Sequence, residues 1–253
     1  MAEKLRLDVL LVDRGLVPSR ERARALILAG RVLVNEQKVD KAGAPVHSDD
    51  KVRLLGGDLK YVSRGGLKLE GALDHWHICV AARACLDIGT STGGFTDCLL
   101  QRGAASVTAI DTGFGQIAMK LRNDPRVHLM ERTNARMLEP ASVPAELSLM
   151  VMDVSFISAT LLLEPVFAAA PGLHEAVVLV KPQFEAGREH VRKGGIVRDP
   201  AAHRLAIDKV CESVRSLGWE VVGTIPSPIA GAEGNQEFLL YATRLSVQDQ
   251  EGS

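Results

Sequence analysis

Long apolar runs are missing from this sequence. The best of them, Ala176-Val177-Val178-Leu179-Val180, is strand-sized, far short of the roughly 20 residues that a membrane-spanning helix needs, so no transmembrane helix is expected. The opening Met1-Ala2-Glu3-Lys4-Leu5-Arg6-Leu7-Asp8 mixes acidic with basic residues and has none of the apolar core of a secretory signal. A cytoplasmic protein is therefore expected. Cysteines are few, and Cys79, Cys85, Cys98 and Cys211 form no Cys-x-x-Cys pair, which leaves buried free thiols in a reducing compartment as the default. Asp74-His75-Trp76-His77 holds potential metal ligands, but on a helix His75 and His77 point to different faces, and no metal site is expected. Aromatic residues make up only 4%, which shifts the core toward Leu, Val, Ile and Ala.

What is present suits a packed globule of two parts. Hydrophobic content is 46% against 24% charged, and 253 residues are enough for one α/β domain of ordinary size with a small accessory unit. The net charge of -1 hides an asymmetry. Residues 1–66 carry 13 Lys+Arg against 9 Asp+Glu, a net of +4, whereas residues 67–253 carry 17 against 22, a net of -5. A basic first quarter on an acidic remainder fits a nucleic-acid grip attached to an enzyme body. No internal repeat or low-complexity segment appears, and a monomer is the expected state.

In the first part, Leu7, Leu10 and Leu11 recur at helical spacing, and the helix should end near Gly15. Ser19 is a plausible cap for a second helix over residues 20–29, with Ala23, Leu26 and Ile27 inward and Gly30 as its stop. Val32-Leu33-Val34, a segment around Val39, and Val52-Arg53-Leu54 read as strands. From Arg6-Leu7-Asp8 through Ser19-Arg20 to Gly30-Arg31-Val32-Leu33-Val34-Asn35, this stretch resembles the RNA-binding fold of the small-subunit ribosomal protein family numbered four. That resemblance implies that basic residues on the second helix meet phosphates of folded RNA, recognised by shape. Arg6, Arg20, Arg24, Arg31 and Arg64 are the candidate RNA contacts. The family usually has glycine after the asparagine of the hairpin turn, where this chain has Glu36, a change that strains a positive-φ position.

Gly56-Gly57-Asp58-Leu59-Lys60-Tyr61 breaks both its neighbours, and places the domains at 1–60 and 61–253. Leu69, Ala72, Leu73 and Trp76 mark the inward stripe of a helix. Strands near 84–88, 106–110, 127–130, 147–152, 176–180, 220–224 and 237–242 then alternate with helices near 95–102, 115–122, 161–170 and 201–217. Such alternation predicts a doubly wound α/β sheet, mostly parallel and covered on both faces. Ligands of such sheets bind beyond the carboxyl ends of the strands.

The motifs fall at that rim. Asp87-Ile88-Gly89-Thr90-Ser91-Thr92-Gly93-Gly94-Phe95 runs from a strand through a glycine-rich turn into a helix. It is neither the dinucleotide fingerprint nor a phosphate-binding P-loop, which favours an adenosyl-amino-acid ligand, S-adenosylmethionine. Asp111 ends the second strand, where an acid can accept both hydroxyls of a ribose, and Asn134 and Ala135 follow the third, where the adenine edge is expected. Lys68, Asp153, Lys181 and Glu237 form a set of two lysines and two carboxylates. Brought to one rim, they suit a weakly acidic hydroxyl that must be held and deprotonated during in-line methyl transfer. After strand five, Arg188, His190, Arg192 and Lys193 form a basic loop, and Phe184 is a candidate for stacking on a base.

Arg64-Gly65-Gly66-Leu67-Lys68-Leu69, the glycine loop with Thr96-Asp97, Asp111, Glu131-Arg132-Thr133-Asn134-Ala135-Arg136, Asp153-Val154-Ser155-Phe156-Ile157-Ser158 and Lys181-Pro182-Gln183-Phe184 together resemble the TlyA family, from about residue 5 to 243. Its members carry the historical name hemolysin and the chemical name rRNA 2′-O-methyltransferase. The resemblance implies an FtsJ-like fold with the last strand antiparallel, a Lys68-Asp153-Lys181-Glu237 tetrad, S-adenosylmethionine as methyl donor, and cytidine riboses of ribosomal RNA in ribosomal subunits as substrate. In that reading Lys181 activates or orients the hydroxyl. Competing readings are a membrane-active hemolysin, which needs an exposed amphipathic or spanning segment, a non-catalytic ribosome assembly factor, and a pseudouridine synthase, which leaves the glycine loop unexplained.

Overall fold

A computed structural model describes residues 4–55, 60–140, 142–192, 194–231 and 234–244. The chain divides into two compact units, Met1–Asp58 and Leu59–Ser253. The linker residues 56–59 lie outside the described residues, as does Lys193.

The first unit runs β1 (Lys4–Arg6), α1 (Leu7–Asp13), α2 (Arg20–Leu28), β2 (Val32–Val34), β3 (Gln37–Lys38), β4 (Pro45–His47) and β5 (Val52–Leu54). Helix α2 starts where expected because the Ser19 side chain accepts a hydrogen bond from the Arg22 amide at 3.2 Å, satisfying one of the first turn's orphan donors. Leu7, Leu10, Leu11, Ala23, Leu26 and Ile27 close over Val32, Val34 and Val46 as one core. The β2–β3 turn puts Asn35 at φ 51° and Glu36 at φ 64°. Side chains hold this backbone: Asn35 Nδ2 donates to Asp50 Oδ1 at 2.8 Å, Asn35 Oδ1 accepts from Lys51 N at 3.0 Å, and Glu36 pairs with Arg53 at 2.7 Å. β1 and β4, which pair antiparallel, were not expected from the sequence.

In the second unit, α3 (Gly65–His75) precedes β6 (Ala84–Ile88), α4 (Gly94–Gln101), β7 (Ser106–Ile110), α5 (Met119–Arg122), β8 (Val127–Met130), β9 (Leu147–Met152), α6 (Thr160–Ala169), β10 (Glu175–Val180), α7 (Pro182–Glu185), α8 (Pro200–Ser216), β11 (Trp219–Pro226) and β12 (Phe238–Arg244). Seven strands form one sheet in the order β11-β12-β10-β9-β6-β7-β8. All pairs from β10 to β8 are parallel, and β12 inserts antiparallel between β10 and β11.

Alternate residues of each central strand serve opposite faces. Leu149 and Val151 pack with Leu69, Leu73, Phe95 and Leu99 of α3 and α4, while Met150 and Met152 pack with Leu162, Val166, Ile207 and Val210 of α6 and α8. Both faces are thus apolar, as a covered parallel sheet requires. Asp199 caps α8 by accepting from Ala201 N at 2.9 Å, with Pro200 at the first position, which suits proline's fixed φ and missing donor.

The helix expected over 115–122 forms only from Met119 to Arg122. The Gly113 amide is taken by Asp111 Oδ1 at 2.6 Å and that of Gly115 by Glu131 Oε1 at 2.6 Å, so residues 112–116 are tied down as a loop.

From β6 the chain moves outward to β7 and β8, then returns on the other side as β9. This switch point opens a crevice at the carboxyl ends of β6 and β9. The antiparallel β12 adds to the same rim. Its register pairs Phe238 with Val180, so Glu237, just before β12, lies beside Lys181, just after β10.

Candidate active site

The four charged residues of the expected tetrad meet at this rim. Lys68 Nζ donates to Glu237 Oε2 at 2.5 Å, with 10% and 2% of the two side chains exposed. Lys181 Nζ lies 2.6 Å from Asp153 Oδ1. The Asp153 contact is one of charge without hydrogen-bond alignment, because Oδ1 has no aligned donor among the described residues, and the aligned bond from Lys181 goes to Ser155 Oγ at 2.7 Å. Lys68 reaches the rim from α3, a helix the sheet buries through Leu69 and Leu73. Two positive and two negative groups balance, which lets four charges sit in a site nearly out of water.

The glycine loop sits on the crevice. Gly89 has φ +83°, and a Cβ there would stand 2.5 Å from the Asp153 carbonyl oxygen, so only glycine lets the loop cross β9 at this height. The Gly93 amide closes the turn on Thr90 O at 2.8 Å. Asp111 fixes the loop from the next strand by accepting from Ser91 N at 2.7 Å. Beneath the loop, Asp87 is fully buried. Burial pushes its carboxyl up to about 7, opposed by the Thr96 hydroxyl and assisted by the charge of Asp153. Thr96 donates to Asp87 Oδ2 at 2.5 Å, and Oδ1 has no partner among the described residues.

Two cavities open here. One of about 310 Å³ is lined by Ser63, Arg64, Lys68, Thr90, Phe95 and Lys181, among others. The other, of about 400 Å³, includes Ile88, Asp111, Asn134, Ala135, Val154 and Leu162. Gly89, Ser91, Asp153 and Ser155 belong to both walls. The larger cavity pairs apolar walls with an acid and an amide, which suits a nucleoside, while the smaller is polar and basic, which suits an amino-acid carboxylate and an incoming hydroxyl. The combined lining has the size and chemistry to hold an adenosyl amino acid across the shared waist.

Of the expected cofactor residues, Gly89, Thr90, Ser91, Thr92, Gly94, Phe95 and Asp153 line the first cavity, and Asp111, Asn134 and Ala135 line the second. Asp87 and Gly93 line neither. Asp87 supports the loop from below, and Gly93, at φ +94°, packs where a Cβ would strike Leu121. Ser63, Ser155 and the Ala230-Gly231 loop were missed. Ser63 had a visible signal beside Arg64-Gly65-Gly66, and Ser155 stood inside the Asp153–Ser158 motif without a role of its own; Gly231 had none. Phe184 contacts Phe156, with ring centroids 5.5 Å apart.

The candidate RNA-contacting arginines differ in setting. Arg6 binds the buried Asp8 through two hydrogen bonds of 2.9 and 3.0 Å, and Arg20 adds a third at 3.1 Å. The Arg6 guanidinium, outweighing burial, holds the Asp8 carboxyl down at about 2. Arg31 Nε donates to Leu55 O at 2.9 Å, and Arg64 to Ala230 O at 2.8 Å. Arg24 is exposed.

A doubly wound sheet with an inserted antiparallel strand, a glycine loop over its first central strand and an acid after the second define a nucleoside-cofactor methyltransferase class. The FtsJ-like methyltransferase family model matches residues 61–244 and the S4 domain model residues 5–52; the chain belongs to the FtsJ-like methyltransferase family, among its TlyA and hemolysin A members. It is 44% identical over 242 residues to the 16S/23S rRNA (cytidine-2′-O)-methyltransferase TlyA of Mycobacterium tuberculosis, covering 95% of this chain and 90% of that one. It is 42% identical over 238 residues to Hemolysin A of Brachyspira hyodysenteriae, covering 94% and 99%. A solved hemolysin-type structure from Streptococcus thermophilus superposes with TM-score 0.74 at 41% identity, covering 97% and 90%.

Proposed function

We propose that this chain transfers the methyl group of S-adenosylmethionine to the ribose 2′-hydroxyl of cytidine in ribosomal RNA, with the S4 domain gripping folded RNA of a ribosomal subunit in the cytoplasm. The observation that carries this reading is the convergence of Lys68, Asp153, Lys181 and Glu237 beside the cavity under Gly89. The domain division at about residue 60 separates grip from catalyst.

In this reading the cofactor supplies an electrophilic methyl on a sulfonium. Asp111, Asn134 and Ala135 hold the nucleoside end, and the Gly89–Phe95 loop holds the amino-acid end. Lys181, fixed between Asp153 and Ser155, meets the incoming 2′-oxygen as an ammonium and stabilises the negative charge that grows there as the hydroxyl proton passes to water. The Lys68–Glu237 pair stands at the same rim and balances its charge. Arg24 and Arg31 contact RNA phosphates, while Arg6 and Arg20 also brace the fold through Asp8.

A membrane-active role is carried by a relative's name alone, and no helix among the described residues is long and apolar enough to cross a membrane. The test is tritiated methyl transfer to isolated ribosomal subunits, followed by mapping of the modified nucleotide. Label on a cytidine ribose, abolished by Lys181→Ala, is expected. Label on a base atom, or transfer undiminished in K181A, overturns the reading.

A further inference from the structure

Lys181 is held by two contacts of different kinds. The 2.6 Å approach to Asp153 Oδ1 fixes its distance from a charge and leaves direction open, since that oxygen has no aligned donor among the described residues. The hydrogen bond to Ser155 Oγ at 2.7 Å supplies the direction. A lysine side chain has large rotamer entropy, so a single charge contact leaves the ammonium free to swing about Asp153. A second point of attachment removes that freedom.

Ser155 is itself well placed to be such a point. It belongs to the walls of both cavities, and the loop that carries it is tied at both ends. At one end Asp153 N donates to Ile88 O at 2.9 Å. At the other, Ala159 N and Ser158 Oγ donate to the two oxygens of Glu185 at 2.7 and 2.5 Å. Glu185 is buried and closes α7, the helix that begins directly after Lys181. One carboxylate therefore ties the loop of Ser155 to the helix that follows Lys181. Between the two ties, Phe156 takes φ +66°, a turn that is strained for an L-residue and persists because the surroundings hold it.

We propose that Ser155 is a positioning residue that aims the Lys181 ammonium into the smaller cavity, where the substrate hydroxyl arrives. It acts through Lys181 and breaks no bond itself. The inference rests on the methyl-transfer reading above, and its test separates the two.

The substitutions Ser155→Thr and Ser155→Val introduce side chains of the same shape that differ only in the hydroxyl. In the full-length chain, methyl transfer to ribosomal subunits at saturating cofactor gives kcat and KM, and calorimetry gives cofactor affinity. S155V should lower kcat about 10-fold or more, the effect of losing a hydrogen bond to a charged group, with KM and cofactor affinity within about twofold of wild type. S155T should stay within about threefold in kcat. Equal kcat in the two variants overturns the proposal, as does a defect confined to KM or cofactor affinity. If the wild-type chain transfers no methyl group, both readings fall; if it does and S155V matches it, only this one falls.

Discussion

Lys68 and Glu237 stand 169 residues apart in the chain and meet at 2.5 Å, both nearly out of water. Neither group has bulk solvent to fall back on. Removing one partner of such a pair leaves a buried charge uncompensated, at a cost of about 3–5 kcal/mol. Glu237→Ala should therefore lower the urea midpoint sharply, and K68M/E237L should recover most of the stability while remaining inactive. A midpoint unchanged in E237A would show that water reaches the pair.

Asp87 gives the fold a pH dependence of definite sign. Its carboxyl titrates at about 7 when folded and near ~3.9 in an unfolded chain, so the folded state binds the extra proton. Stability from this group is complete below about pH 4 and falls away as pH rises through about 7. Asp87→Asn keeps an acceptor for Thr96 and removes the titration. The difference in unfolding free energy between D87N and wild type should grow in favour of the variant from about pH 4 to about pH 7 and then level off, on the order of 3–4 kcal/mol. A difference flat across that range would mean that Asp87 is ionised throughout.

The sheet was legible because each strand is a short apolar run bounded by polar residues, and both faces are covered, so length and flanks sufficed. The rim was legible for a related reason: in a parallel sheet the residue after a strand lies at the site, and Gly89, Asp111, Asp153 and Lys181 can be found by counting. Three things were not. β1 buries no residue fully and β4 only Val46, which is too little for a periodicity. The helix expected at 115–122 is shorter than its sequence suggests because Gly115 takes φ +71° and Ala118 ψ 137°, neither of them helical, in a loop held by Asp111 and Glu131 from the ends of neighbouring strands. Ser155 stands in the Asp153–Ser158 motif, but its role had no signal, because a serine two residues after an aspartate looks ordinary until Lys181, 26 residues on, is seen bonded to it.

Gly89→Ala tests the close crossing of loop and strand. The added methyl would meet the Asp153 carbonyl oxygen at 2.5 Å, at a φ of +83° that alone costs about 1–2 kcal/mol for a side-chain-bearing residue. The loop must lift, which opens the waist shared by both cavities. Calorimetry should show cofactor affinity down at least about tenfold, the equivalent of about 1.4 kcal/mol, with far-ultraviolet circular dichroism unchanged. Wild-type affinity in G89A would place the cofactor elsewhere.

The arginines of the first unit divide into two groups that mutagenesis should separate. Arg6 and Arg20 hold the buried Asp8, whose carboxyl sits at about 2, below its unfolded value. Their contribution to stability is present above about pH 4 and disappears as pH falls toward about 2. Charge reversal at Arg20 places a carboxylate beside Asp8, so Arg20→Glu should lower the melting temperature of the S4 unit as well as RNA binding. Arg24 lies one turn further along α2 and is exposed. Arg24→Glu should leave melting unchanged while weakening binding to ribosomal subunits, and should flatten the dependence of log affinity on log salt by about one unit for each phosphate no longer neutralised. Filter binding over a salt series, with melting curves on the same samples, measures both. Equal salt slopes for wild type and R24E would remove this face of α2 from the RNA interface.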